Sequence, residues 1–292
     1  MTVLERGWRS LDRPVSRNMA SSHEGNCLPL ASFMDFGYVW EHISPSNPVT
    51  NNPGQSMKFK RFAIYFTPAP GPFADFGSAW LGWDADKGLA PPAPDLPDLP
   101  MSLEEITKTP RKYGLHATVM PPFRLASGHE ESEIEAALEE FCFKHGPVAI
   151  DRLKTMRMGR FLALVPHERN DRLNSLAAAA VEGFDAFRAP PAESEILKRG
   201  SGGLSANQRK MLELWGYPYV MDEFRFHITL TSKLPEFQIE RIGNAIEPLF
   251  ESRLPQPFEI DALSLTGESL DDRFHLIRRC KLSGVNSPDS NT

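Results

Sequence analysis

Two short segments of this chain carry side chains that could do chemistry together: His116-Ala-Thr118 and His227-Ile-Thr229. Each lies in an apolar, strand-like run, Tyr113-Gly-Leu-His-Ala-Thr-Val-Met120 and Phe224-Arg-Phe-His-Ile-Thr-Leu230. In a strand, residues i and i+2 point to one face, so each copy presents an imidazole beside a hydroxyl. Imidazole can give or take a proton near neutral pH, and a hydroxyl can hydrogen-bond a phosphoryl oxygen. Two such strands facing each other would form a site able to run acid–base chemistry on a phosphate without a metal. One His-x-Thr is a weak motif. Two copies in matching surroundings, each with a basic residue close by (Arg124 and Arg225), carry far more weight.

The other six histidines do not repeat this context. His129 and His167 fall in polar turns, His145 ends a helical pattern, His275 sits in an alternating strand, and His23 and His42 lie near the N-terminus. Two histidines without a neighbouring carboxylate are too few for a catalytic zinc, which ordinarily has three protein ligands. There is no His-Glu-x-x-His, no Walker or Rossmann glycine loop, and no Gly-x-Ser-x-Gly elbow. The run Gly200-Ser-Gly-Gly203 lacks the strand-before, helix-after order and reads as a flexible loop. No metal and no cofactor are expected.

The elements that must position the two motifs can be read from period and punctuation. Strand 59–67 is followed by a Pro/Gly turn and a helix over 73–82. A proline-rich loop covers 87–100, and a short helix near 102–107 opens on a Ser102/Glu105 capping box. The first motif strand is expected over 114–120, stopped by Pro121-Pro122. Helix 130–145 and strands 147–154 and 160–165 come next. Helix 171–186 leads into an irregular stretch, 188–220, with one helix near 205–215. The second motif strand is expected over 224–231, followed by helix 236–252 and strands 256–265 and 273–281. The order motif strand, helix, two strands therefore occurs twice, which points to duplicated α+β halves related by a pseudo-two-fold axis.

The composition is that of a folded globular chain: 292 residues, 41% hydrophobic, 24% charged, formal net charge −6. An acidic balance disfavours a long nucleic-acid partner but leaves room for a basic pocket that takes a small phosphorylated ligand. Three scattered cysteines (Cys27, Cys142, Cys280) have neither disulfide-framework nor zinc spacing, which fits the reducing cytoplasm. No apolar run is long enough to span a bilayer, and the first residues show no signal-peptide pattern, so no membrane partner is expected. A monomer is expected. Residues 1–56 lack sustained periodicity and read either as a disordered extension or as a segment upstream of a true start at Met57. The folded region is expected over 57–282, with a frayed tail at 283–292.

With these residues in view, the chain resembles the two-histidine phosphoesterase superfamily, which includes RNA ligase-like cyclic phosphodiesterases. More narrowly it is similar to a bacterial branch associated with phosphonate-utilisation genes. The narrower likeness rests on Arg61-Phe-Ala-Ile-Tyr-Phe66, Trp80-Leu-Gly-Trp-Asp84, Arg111-Lys-Tyr-Gly-Leu-His-Ala-Thr118, Pro122-Phe-Arg124, Gly159-Arg-Phe-Leu-Ala-Leu164 and Gly216-Tyr-Pro-Tyr-Val220 leading into Phe224-Arg-Phe-His-Ile-Thr229. The resemblance implies a two-lobed α+β fold, with two antiparallel sheets around a central cleft and helices outside. It implies a metal-independent phosphodiesterase acting on a small cyclic phosphate or nucleotide-like diester. In that reading His116 and His227 act as general acid and base, and Thr118 and Thr229 bind the phosphoryl oxygens. Tyr65 and Tyr113 would line the pocket and stack a base or sugar. Met120 stands where a lysine is expected in many relatives, on the same strand face as His116 and Thr118, so Arg124 or Arg225 would replace that charge. A non-catalytic nucleotide- or phosphometabolite-binding module, and an RNA-end-processing cyclic phosphodiesterase, are the alternatives.

Overall fold

The computed structural model describes residues 57–284. The expectations placed on residues 1–56, on residues 285–292, and on His23, His42 and Cys27 lie outside the described residues. The chain runs β1 (Arg61–Phe66), α1 (Pro72–Leu81), α2 (Leu103–Thr107), β2 (Ala117–Phe123), α3 (Glu131–Lys144), β3 (Val148–Ile150), β4 (Leu153–Met158), β5 (Phe161–Pro166), α4 (Asp171–Phe184), α5 (Glu193–Gly200), α6 (Ala206–Trp215), β6 (Ile228–Thr229), α7 (Glu236–Glu251), β7 (Phe258–Ile260), β8 (Ala262–Glu268) and β9 (Phe274–Lys281).

Local signals explain most boundaries. Pro72 opens α1, and Gly82 ends it in a left-handed conformation at φ 73°. The Ser102 hydroxyl accepts from the Glu105 amide while the Glu105 carboxylate accepts from the Ser102 amide, closing the expected capping box on α2. Ile239, Ile242, Ile246 and Phe250 form one buried stripe along α7.

The architecture is α+β with two antiparallel sheets, as expected. Seven strands form one sheet in the order β4-β5-β6-β2-β1-β8-β9, and β3 and β7 pair apart from it. Both motif strands are therefore neighbours at the middle of one sheet. The order is symmetric about the β6–β2 seam. This makes the repeat β1-α1-β2-α3-β3-β4 and β5-α4-β6-α7-β7-β8, with β9 added at an edge. The halves interlock: α3 packs on β8 and β9, while α7 packs on β4 and β5. A continuous apolar core joins the helices to one sheet face through Phe66, Leu164, Ile228 and Leu265. On the other face lie two small clusters, Ala63/Tyr65/Phe274 and Phe161/Ala163/Val165. Among the described residues no helix is long and apolar enough to cross a membrane.

Four expectations are corrected. Each strand drawn directly after α3 and α7 is two strands. The chain leaves the small sheet at Asp151-Arg152 and at Asp261 and enters the large one, so β4 and β8 are separate elements. Periodicity cannot see a strand changing sheets. Second, β2 runs through Pro121 and Pro122 to Phe123. Its partner β6 pairs only at Ala117↔Ile228, so beyond that point no ladder on that side needs a proline N–H. Third, the second motif strand shrinks to Ile228–Thr229. Fourth, α5 occupies part of the stretch read as irregular.

Candidate active site

The register between the two motif strands builds the site. Ala117 pairs with Ile228 in antiparallel sense. Extended by one residue each way, this sets His116 across from Thr229 and Thr118 across from His227. Directly opposed Cβ atoms lie about 4.5–5.5 Å apart and diagonal ones about 7–8 Å. The four side chains thus form a small quadrilateral on the sheet face away from the main apolar core, with histidines on one diagonal and threonines on the other. Ala117 and Ile228, fully buried, point into the core between them.

Both imidazoles are anchored alike. His116 Nδ1 lies 3.0 Å from the Gly114 carbonyl, and His227 Nδ1 lies 2.8 Å from the Arg225 carbonyl. A carbonyl can only accept, so Nδ1 carries the hydrogen in both rings and Nε2 is left to exchange protons. The backbone reaches this bond by different routes. Gly114 has φ 72°, and a Cβ there would sit 3.1 Å from that of Ala85, so the position favours glycine twice over. The second copy follows a short turn, Met221–Glu223. The Thr118 hydroxyl donates to His116 Nε2 at 3.3 Å.

The walls are not symmetric. Tyr65 on β1 pairs with Thr118, and its ring lies 4.1 Å from that of His116. Tyr113 flanks the same imidazole at 5.5 Å, and Phe274 backs both tyrosines. The Trp83 indole N–H donates to the Phe274 carbonyl at 2.7 Å, fixing that backing. The matching position on β5, opposite Thr229, is Ala163. The His227 ring lies 6.2 Å from that of Phe161. Burial lowers both imidazole pKa values, because the cation loses water. That of His116 is pushed down to about 4, and the neighbouring His227 adds to the effect.

This has a consequence for folding. Below pH 6.5 the unfolded chain takes up a proton on His116 that the folded chain refuses, so stability falls with pH until about 4 and then levels. The loss is on the order of 3 kcal/mol for that histidine. Urea melts at pH 7.5 and pH 5 are expected to differ by more in the wild type than in His116→Gln.

The structure places the remaining sequence-predicted residues as follows. The Tyr65 ring is used up in packing against His116 and Phe274, so it offers no free face to a base or sugar. Its hydroxyl, however, is buried without a hydrogen-bond partner, and its pKa is pushed well above 10 by burial. Tyr65→Phe is therefore expected to hold or raise the unfolding free energy in a urea melt, by up to about 1 kcal/mol, since it removes an unsatisfied buried group. Met120 does not share the motif face. One step on β1, Tyr65 to Ile64, faces two steps on β2, Thr118 to Met120, and this bulge turns Met120 into the core. Arg225 is exposed and donates to the Asp222 and Phe224 carbonyls of its own turn. Arg124 lies past the end of β2, where it pairs with Glu195 at 3.2 Å in a separate pocket.

Sequence reading missed Arg61, Lys112 and Glu268. Arg61 donates to both Glu268 carboxylate oxygens, at 2.5 and 2.9 Å, and Lys112 lies 3.5 Å from the same group. The signal was there: Arg61, Ala63 and Tyr65 alternate onto one face of β1. Among the described residues no group of three or more His, Cys, Asp or Glu is placed to hold a metal.

Among curated proteins, the chain is similar to ribose 1,5-bisphosphate phosphokinase PhnN of Janthinobacterium sp. (strain Marseille), 36% identical over 231 residues, covering 76% of this chain and 50% of that protein. It is also similar to the protein of that name from Laribacter hongkongensis (strain HLHK9), 33% identical over 213 residues, covering 72% and 49%. The chain thus spans about half the length of these curated relatives. Among solved structures, TT0787 of Thermus thermophilus aligns with 77% of this chain and all of its own at 14% identity and a TM-score of 0.38. E. coli LigT complexed with 3′-AMP aligns with 77% and 99% at 14% identity and 0.36. The family described as "Protein of unknown function (DUF1045)" matches residues 118–275. That match runs from the first motif threonine through the second motif and covers more than half of the chain, which therefore belongs to the DUF1045 family.

Proposed function

We propose that this chain is a metal-independent phosphodiesterase acting on a small cyclic phosphate or nucleotide-like diester. The observation that carries the reading is the cross-strand quadrilateral. Two imidazoles anchored alike at Nδ1 offer Nε2 from opposite ends of a cross-strand diagonal, and a hydroxyl stands opposite each. One Nε2 takes a proton from water as its oxygen attacks phosphorus. The other gives a proton to the leaving oxygen as the P–O bond breaks, and a phosphomonoester results. In-line displacement needs base and acid on opposite sides of phosphorus, which a pseudo-two-fold seam supplies. Thr118 and Thr229 donate to the non-bridging oxygens. The resemblance to the phosphonate-associated branch supports a role in phosphonate catabolism, and the sparse, scattered cysteines fit the cytoplasm.

The pH dependence follows from the half-buried imidazoles. The kcat/KM profile reports the free enzyme, in which one histidine must be protonated and the other neutral. Because both pKa values lie below 6.5, the bell is expected to peak on the acid side of 6.5. The deciding experiment is phosphorus NMR of purified protein with 2′,3′-cyclic nucleotides, ADP-ribose 1″,2″-cyclic phosphate and ribosyl 1,2-cyclic phosphates in EDTA. Ring opening in EDTA is expected. Turnover that stops in EDTA and returns with a divalent metal contradicts the mechanism.

A further inference from the structure

A second feature of the same sheet face is absorbed by none of this. An open pocket lies past the end of the motif strands, lined by Arg61, Arg124, Arg188 and Arg199, with Glu195 the carboxylate on its wall. The guanidiniums are held in place. Arg61 is paired with Glu268 and Arg188 with Asp185 (Nε–Oδ1 2.8 Å); Arg124 donates to the Pro190 carbonyl, and Arg199 to the Gly216 carbonyl. With Lys112 beside Glu268, five positive charges face three negative ones (Glu195, Glu268, Asp185).

Arg61, on the pocket wall, relates it to the histidine site through β1. Arg61 and Tyr65 share a face of β1 four residues apart, about 13 Å along the strand. The Tyr65 hydroxyl is buried without a hydrogen-bond partner among the described residues. Arg199 in turn sits 5.6 Å from the centre of the Tyr217 ring. A buried hydroxyl left without a partner is costly, and this one belongs to the residue that packs on His116 and shares a β1 face with Arg61. A ligand with a single phosphate would fill the histidine end and leave both features idle.

We propose that the substrate is a phosphodiester bearing a second anionic group, phosphate or carboxylate, which the Arg61/Arg124/Arg188/Arg199 pocket binds while the Tyr65 hydroxyl donates to the part of the ligand in between. The proposal rests on the phosphodiesterase reading for the first end of the ligand. It makes the arginine end a specificity site: it selects the ligand, and the histidines transform it.

The test compares adenosine 2′,3′-cyclic phosphate with its 5′-phosphorylated and 5′-carboxylate forms, by kcat/KM and by calorimetric Kd in the His116→Ala/His227→Ala double variant. A preference of about 10–100-fold for an anionic 5′-group is expected, the scale of one or two charge-assisted hydrogen bonds. The two anionic probes show which source the pocket favours. Arg124→Gln and Arg199→Gln should collapse the preference toward one. Glu195→Gln should raise it several-fold, because it removes the opposing carboxylate yet keeps an acceptor for the Ala192 amide. That gain is a result no folding defect can imitate, and it serves if the arginine variants unfold. A preference near one in the wild type, or one indifferent to all three substitutions, overturns the proposal. Turnover without preference would sink the second site alone. A Kd preference without turnover of any cyclic phosphate would sink the phosphodiesterase reading alone.

Discussion

Replacing either His116 or His227 by alanine is expected to lower turnover of a cyclic phosphodiester by about 10²–10⁴-fold. The double variant should be little worse than the poorer single one, because acid and base act on one phosphate as a unit. Each ring is committed through Nδ1–H to a carbonyl two residues earlier, so each contributes a single Nε2 to the chemistry. Alanine leaves nothing in that place. The symmetry of the anchoring makes the two losses comparable, whereas a structural histidine paired with one working residue would give one large and one small effect. Thr118→Ala and Thr229→Ala should each cost only about tenfold, one hydrogen bond to a charged group. Steady-state kinetics on the four variants, with Tm measured beside them, checks the pattern. Two independent losses that multiply in the double variant would speak against a shared phosphate.

The largest effect on stability is expected at Trp80. This residue of α1 is fully buried, packs edge-on to Phe250 of α7, and donates its indole N–H to the Leu230 carbonyl at 2.7 Å. Leu230 directly follows Thr229, and β6 is only two residues long, so its own ladder cannot hold the second motif in place. The amide of Leu230 and the hydroxyl of Thr231 are tied to Leu162, and the Ser232 amide to Ile106. Trp80 completes this clamp from below. Trp80→Ala is expected to cost about 3–5 kcal/mol in urea unfolding, the range for deleting a buried aromatic ring. Trp80→Phe keeps most of the packing but strands the Leu230 carbonyl, at about 1–3 kcal/mol. If the clamp positions β6, this milder variant should lose turnover at temperatures where it remains folded.

Much of the molecule could be read from its residues, and the parts that could not have specific causes. The helices were legible because capping residues and apolar stripes are local: Ser102 with Glu105, or Ile239 through Phe250. The motif residues were legible because an i, i+2 pair states its own face. Met120 was misassigned because a bulge arises from pairing with β1, and no property of β2 alone reveals it. The strand switches at Asp151 and Asp261 depend on which sheet receives the next residues, again a non-local matter. The seam between β2 and β6 could not be read either. Duplication suggested that the motifs face each other, but only pairing shows that they sit side by side in one sheet with His116 across from Thr229. The arginine pocket escaped notice because its members come from β1, the end of β2, the segment after α4, and α5, which share nothing along the chain.

The central claim is that one phosphate sits between His116 and His227. Nitrogen-resolved NMR of histidine-labelled protein, titrated with inorganic phosphate, tests it most directly. Both Nε2 resonances should move along one binding curve with a common Kd while both Nδ1 positions stay protonated. Movement of only one of the two rings, two unrelated affinities, or no response of either would contradict the account.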